Sequence, residues 1–280
     1  MDNTNFRIWK DRIFRALLGI FAVLAAMPLL FIVYYIVSKG IGVINWEFLV
    51  SVPKSAGTAG GGISNALVGT VMVVLEATII AVPIALLAGI FLAENANNKL
   101  SYWVRLCIEI LQGTPSIVIG IVAYLWVVKP MGSFSAFSGG IALGIMMIPF
   151  LARSTEETLR LIPNSYREAS LALGVPYYKT ILRVILPSGA SGILTGFMIS
   201  LSRVAGETAP LLFTAFGSPF LNTNPQEPVS ALPLMIFKFA TSPYPNWQAM
   251  AWGASLLLIL MILILNLSAK LIVKRWEIPY

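Results

Sequence analysis

Histidine is absent from the 280-residue chain and cysteine occurs once, at Cys107. The first absence removes imidazole acid–base catalysis and the commonest transition-metal ligand. The second leaves no partner for an internal disulfide, so the redox compartment is undetermined. Charge is scarce as well, with 11% of residues ionised at neutral pH where a soluble domain has about a quarter. Hydrophobic residues make up 58%, a composition that belongs to an integral membrane protein. A phosphate-binding loop is missing: Gly174 followed by Lys179-Thr180 lacks the second glycine that would let backbone fold around a phosphate. Neither a nucleophile with a neighbouring base nor a metal-ligand cluster is written anywhere, so nothing points to an enzyme. There is no solenoid repeat.

What is present is a series of long apolar runs. Residues 16–38 carry no charge and follow a basic start (Arg7, Lys10, Arg12, Arg15), which reads as an uncleaved first span because a signal-peptide core is shorter. Residues 53–62 are small and glycine-rich, an outer loop. Further spans are expected at 63–93, 102–128, 134–152, 188–212 and 246–273, giving six in all within one domain of 1–280. Between the last two, residues 215–245 hold six prolines and form a structured loop, with a short interfacial helix at 234–239.

The net charge of +7 is not a nucleic-acid stripe, because lysine and arginine gather at segment ends. They fill the N-terminus, residues 94–105, residues 153–187 and the C-terminus, against Lys39, Lys54, Lys129 and Lys238 on the other side. By the positive-inside rule both termini and the 153–187 segment are cytoplasmic.

That segment is polar, yet patterned. Ser165-Tyr166-Arg167-Glu168 reads as a capping box that starts a helix near Tyr166. Gly174 supplies a left-handed stop, Pro176 opens a second helical run, and Leu186-Pro187 ends it. Leu171 and Leu173 have no use in a solvated connector, which points to a partner surface.

Ionisable residues inside spans cost roughly 2.5–3.5 kcal/mol each on insertion scales and by default indicate function. Arg203 and Glu207 are the strongest pair: at i and i+4 they share a helix face, and a guanidinium forks to two oxygens of an oxyanion such as phosphate. The plainer alternative is a salt bridge that only fixes helix packing. Glu76 and Glu109 either line the pathway or serve packing, paired with Arg105 or Arg203 or placed near an interface. Thr114-Pro115-Ser116 is either a broken helix lining a cavity or a kink. Met146-Met147 reads as lipid-facing or packing, and Gly192 and Gly196 as a close helix approach.

Glu168-Ala169, Gly174, Val184, Leu186 and Pro187 resemble the E-A-A…G…I-x-L-P signature of permease subunits of bacterial ABC importers, with Ser170 in place of the second alanine and Val184 in place of the isoleucine. The segment Arg203-Val204-Ala205-Gly206-Glu207-Thr208-Ala209-Pro210 is similar to the R-x-x-G-E-T-A-P stretch of the A-type permeases of phosphate-specific systems, and the likeness extends over essentially the whole chain, Gln112-to-Ser116 and Thr155-to-Arg160 included. The resemblance implies an all-α fold of MetI-like type, with six transmembrane helices and a cytoplasmic coupling-helix loop at 153–187. It implies phosphate translocation through Arg203 and Glu207, with Thr208 of the same segment beside them; Thr114, Ser116, Glu76 and Glu109 remain candidate pathway residues from their place within the spans. Coupling would rest on Ser165, Glu168, Ala169, Gly174, Leu186 and Pro187. Expected partners are a C-type permease, an ATPase dimer carrying ATP and Mg, an external phosphate-binding protein and membrane lipid, with no nucleic acid and no cofactor on this chain. The expected location is the bacterial cytoplasmic membrane. A self-sufficient secondary transporter is the competing reading, disfavoured by the lack of repeat halves.

Overall fold

Proline and glycine decide where the helices of this chain bend and how closely they approach. The computed structural model describes residues 3–58 and 60–276. The extreme termini, expected in the cytoplasm, and residue 59 of the expected outer loop lie outside the described residues. Twelve helices follow in order: α1 (Asn3–Gly40), α2 (Trp46–Val50), α3 (Ser64–Glu94), α4 (Lys99–Gly113), α5 (Ser116–Met131), α6 (Ala136–Arg160), α7 (Asn164–Ala172), α8 (Tyr177–Ser188), α9 (Ala190–Ala205), α10 (Ala209–Thr214), α11 (Leu232–Ala240) and α12 (Pro245–Trp276). A single isolated bridge, Phe216 to Val229, is the only β-pairing among the described residues.

Four of these helices, α1, α3, α6 and α12, are each long and apolar enough to cross a membrane. Two bent pairs raise the number to as many as six: α4 with α5 turns through 104°, and α8 with α9 through 68°. Both α5 and α8 contain a π turn, at Tyr124–Val128 and Ile181–Ile185, and each π turn ends two residues before a proline, Pro130 or Pro187. Proline has no N–H and its ring presses on the carbonyl a turn back, and widening that turn relieves the clash.

The centre is the α3–α6 contact. Ala77, Ala81, Ala85 and Gly89 recur at helical spacing on α3 and are fully buried. Opposite them Gly140 of α6 leaves no room for a side chain, since a Cβ there would stand 2.5 Å from Glu76 Cβ, and Gly144 lies against Ala77 and Ile80. Small residues let two backbones approach where lipid offers no hydrophobic drive. The same device joins α9 to α6, since a Cβ on Gly192 would meet Thr158 at 2.5 Å and one on Gly196 would meet Ser154 Oγ at 1.9 Å. Met146 and Met147 are buried in this interior and do not face lipid.

The proline-rich stretch folds back over one end of the bundle. Ser135 N–H donates to Thr214 O at 3.1 Å, Ala136 N–H to Glu227 O at 3.0 Å, and Leu232 N–H to Thr70 Oγ1 at 2.7 Å. Its helix α11, expected at an interface, is instead packed in the core through Leu232, Leu234 and Met235. By contrast α1 is bare over its apolar length and leans on α12 only near Gly40, where a Cβ would be 2.7 Å from Trp252 O.

Candidate anion site and coupling surface

The break between α4 and α5 is built by Pro115. The residue before a proline is pushed into extended backbone, and Thr114 adopts φ −74, ψ 130, with Pro115 at ψ 135. The chain therefore leaves α4 sideways and starts α5 at Ser116. A helix leaves its first N–H groups without intrahelical acceptors, and they carry the positive end of the helix dipole. Of the two readings of Thr114-Pro115-Ser116, a broken helix beside a cavity is the one found.

Arg203 approaches this break from α9. Together Leu111, Gln112, Thr114, Pro115, Ser116, Ile119, Met146, Phe150 and Arg203 enclose a cavity of about 130 Å³. The Arg203 guanidinium carbon lies 4.4 Å from the centre of the Phe150 ring, and Gln112 Nε2 donates to Pro149 O at 3.1 Å. Larger clefts exist elsewhere; one of about 580 Å³ along α3, α6 and α9 is walled almost wholly by aliphatic groups and Phe197, which offers nothing to a charged solute.

The helical i,i+4 geometry expected for Arg203 and Glu207 is not present. α9 ends at Ala205, Gly206 caps it, and Pro210 in the next helix cannot continue the ladder. Arg203 thus sits in the last turn of α9, and Glu207 lies beyond it. Their closest approach, Arg203 Nε to Glu207 Oε1, is 4.0 Å, with Arg203 51% exposed and Glu207 20%. At that distance the carboxylate does not occupy the guanidinium donors, which leaves them available to a ligand. Thr208 makes one long contact, 3.5 Å to Pro233 O.

Thr114 and Ser116 are brought to Arg203, whereas Glu76 and Glu109 are not. Glu109 is exposed on α4, and Glu76 lies between α3 and α6 against Gly140, its Oε2 buried without a hydrogen bond. Neither pairs with Arg105, whose Nε donates to Glu156 Oε1 at 2.7 Å. Glu156, 1% exposed, also meets Arg160 at 2.9 Å and Arg153 at 3.6 Å. Gln112, Phe150 and Glu156 were not anticipated as partners; the i,i+4 spacing of Glu156 and Arg160 was the one available signal.

The polar segment begins later than expected, because α6 continues past Ala152 to Arg160. Ser165 does not cap α7. Pro163, held at φ −57, ψ 142, precedes the helix and starts it at Asn164, which places Ser165 inside the first turn with no capping bond. Glu168 and Ala169 point to solvent. Gly174 does take the left-handed conformation, φ 77, with open space around it. Ser170 Oγ and Thr180 Oγ1, both buried, lie 2.9 Å apart and clasp α7 to α8. Leu186 packs inward on Leu159 and Ile185, while Pro187 is exposed. The outward face carries Leu171, Leu173, Tyr178 and Leu182, all exposed, with Leu173 at 84%. Such an apolar patch on a polar segment is the mark of a docking surface.

Residues 85–278 match the family described as "binding-protein-dependent transport system inner membrane component". The chain belongs to this family. The phosphate transport system permease protein PstA of Yersinia pestis is 41% identical over 248 residues, which covers 88% of this chain and 84% of the relative. A probable protein of the same name from Methanocaldococcus jannaschii is 38% identical and aligns with 98% of this chain and 97% of its own length. In architecture the chain resembles a subunit of the MetNI methionine ABC transporter solved in inward-facing conformations, with TM-score 0.62 over 78% of this chain and 95% of that one at 22% identity. As a binding-protein-dependent transport system component it is a multi-pass membrane protein of permease type. Arg203, the helix break and the coupling surface all fall inside the matched region; Glu76 does not.

Proposed function

We propose that the chain is the phosphate-conducting permease subunit of an ATP-driven importer. The observation that carries this reading is Arg203 beside the open start of α5: a cation whose donors are not taken up by Glu207, across a cavity of about 130 Å³ from the first turn of α5 and the Ser116 hydroxyl, while the Thr114 hydroxyl is already donated to Ile110 O at 2.7 Å. Fixed donors around a small cavity suit a tetrahedral oxyanion. The names of the two relatives, both phosphate transport system permeases, support the same substrate. Glu207 and Thr208, just past the end of α9, act with Arg203 in release, and Glu76 and Glu109 are left to packing or to conformations in which the helices have moved.

Coupling runs through Glu168, Ala169, Gly174, Leu186 and Pro187 together with the exposed Leu171 and Leu173, against an ATPase dimer that carries ATP and Mg. A C-type permease completes the pathway and an external phosphate-binding protein delivers the solute. The excess of lysine and arginine on the side of the coupling surface supports a cytoplasmic membrane location with both termini in the cytoplasm.

The test is radiolabelled phosphate uptake in cells lacking other phosphate carriers, with subunit levels measured. Arg203→Gln is expected to abolish uptake with the complex assembled, and Arg203→Lys, which keeps charge but loses the fork, to retain part of it. Full uptake by Arg203→Gln would overturn the assignment of the anion site.

A further inference from the structure

The cytoplasmic end of α3 is fastened to the polar segment through Glu94. Arg167 of α7 sets Nη2 2.7 Å from Glu94 Oε1 and Nε 3.2 and 3.3 Å from its two oxygens, a two-pronged pair. The hydroxyl of Tyr177, first residue of α8, donates to the other carboxylate oxygen, Oε2. Arg167 also donates to the carbonyls of Leu159 at 3.3 Å and Ile162 at 3.2 Å, at the end of α6. The ion pair is sheltered, its side chains 14% and 8% exposed. One arginine therefore joins the ends of α3 and α6 to α7, and one tyrosine adds α8.

This fastening differs from the other contacts of α7. The Ser170–Thr180 clasp holds α7 to α8 only, and the outer face of α7 is bare. α7 has about two and a half turns and is too short to hold its shape alone. A displacement imposed on it has a direct route to the ends of α3 and α6 through Arg167, beside the indirect one through the Ser170–Thr180 clasp and α8. α3 is in turn locked to α6 along the stripe of small residues, so movement at Glu94 is carried along the central pair.

We propose that Glu94, Arg167 and Tyr177 form the joint that transmits movement of the coupling surface to α3, as positioning residues that touch neither phosphate nor nucleotide. The proposal rests on the reading of α7 and α8 as the ATPase-facing surface. Sheltered, hydrogen-bonded charges suit a joint because they hold one geometry, while removing either partner leaves an uncompensated charge.

The experiment uses the complete transporter in proteoliposomes, with its ATPase and binding protein. Phosphate uptake and ATP hydrolysis are measured side by side for Glu94→Gln, Glu94→Asp, Tyr177→Phe, Arg167→Gln and the exchange Glu94→Arg with Arg167→Glu. Copurification of the ATPase is measured on each. The expected result is retained ATPase association and basal hydrolysis in Glu94→Gln and Arg167→Gln, with phosphate carried per ATP reduced about tenfold or more. Glu94→Asp and Tyr177→Phe should fall between these and the parent, and the exchange should recover a substantial part. An unchanged ratio in Glu94→Gln would overturn the proposal, and so would loss of the ATPase subunit from both Glu94→Gln and Glu94→Asp, since the pair would then only fold the surface. If the parent hydrolyses ATP in response to binding protein yet carries no phosphate, the substrate reading fails. The joint is then judged by whether Glu94→Gln loses that stimulated hydrolysis.

Discussion

Arg203 lies over the face of Phe150 with 4.4 Å between the guanidinium carbon and the ring centre. A carboxylate in that position would take up the N–H edge that an oxyanion needs. An aromatic face attracts the cation through its quadrupole and leaves the edge open. Phe150 therefore orients Arg203 without neutralising it, a division of labour suited to a solute that must also leave.

Phe150→Leu removes the π face while keeping an apolar wall. A cation–π contact is worth about 0.5–2 kcal/mol, so affinity for phosphate should weaken by roughly two- to thirtyfold. Uptake measured against phosphate concentration checks this: half-saturation should rise while Phe150→Tyr stays close to the parent.

Glu168 makes no hydrogen bond within the described residues and points to solvent, and Leu173 is 84% exposed. Glu168→Ala and Leu173→Ser should therefore leave thermal stability of the purified chain unchanged, surface changes usually falling within about 0.5 kcal/mol. Both should weaken retention of the ATPase on a tagged permease. A melting shift with full ATPase retention would reverse the assignment.

Glu156 compensates Arg105 and Arg160 at 2.7 and 2.9 Å and has 1% exposure. Removing it leaves Arg105, 22% exposed, and Arg160, 40% exposed, without their carboxylate, a loss below the ~3–5 kcal/mol of a fully buried pair because water reaches both guanidinium groups. Glu156→Ala is expected to lower the melting temperature sharply in detergent. Glu109→Ala, at an exposed position of α4, should not.

At Gly196 an added Cβ would stand 1.9 Å from Ser154 Oγ. Overpacking of this kind costs about 1–3 kcal/mol, and Gly196→Ala should loosen α9 against α6. Protease accessibility of the α8–α9 bend reports it, and Ser154→Gly in the same chain should restore protection.

Much of the architecture was legible because apolar length and charge asymmetry are properties of segments. Gly174 was legible too, since glycine is the residue that takes a left-handed stop at least cost and Pro176 follows two residues later. Local rules failed where two of them competed. Ser165 and Glu168 have the spacing of a capping box, but Pro163 fixes the backbone first and starts the helix at Asn164. Arg203 and Glu207 have helical spacing, but the helix ends at Ala205 ahead of Pro210. Partners distant in the chain left no local trace: Arg105 and Glu156 are 51 residues apart, and Phe150 meets Arg203 only because α6 and α9 cross through glycines.

The turn at Gly174 constrains the coupling surface through handedness alone. Its φ of 77 strains any residue with a side chain, yet an added methyl would touch nothing within 4 Å. Volume is therefore irrelevant at this corner, and a mirror-image alanine would fit where natural alanine is strained. The angle between α7 and α8 is written into the chain as stereochemistry, at a position that no packing contact inspects.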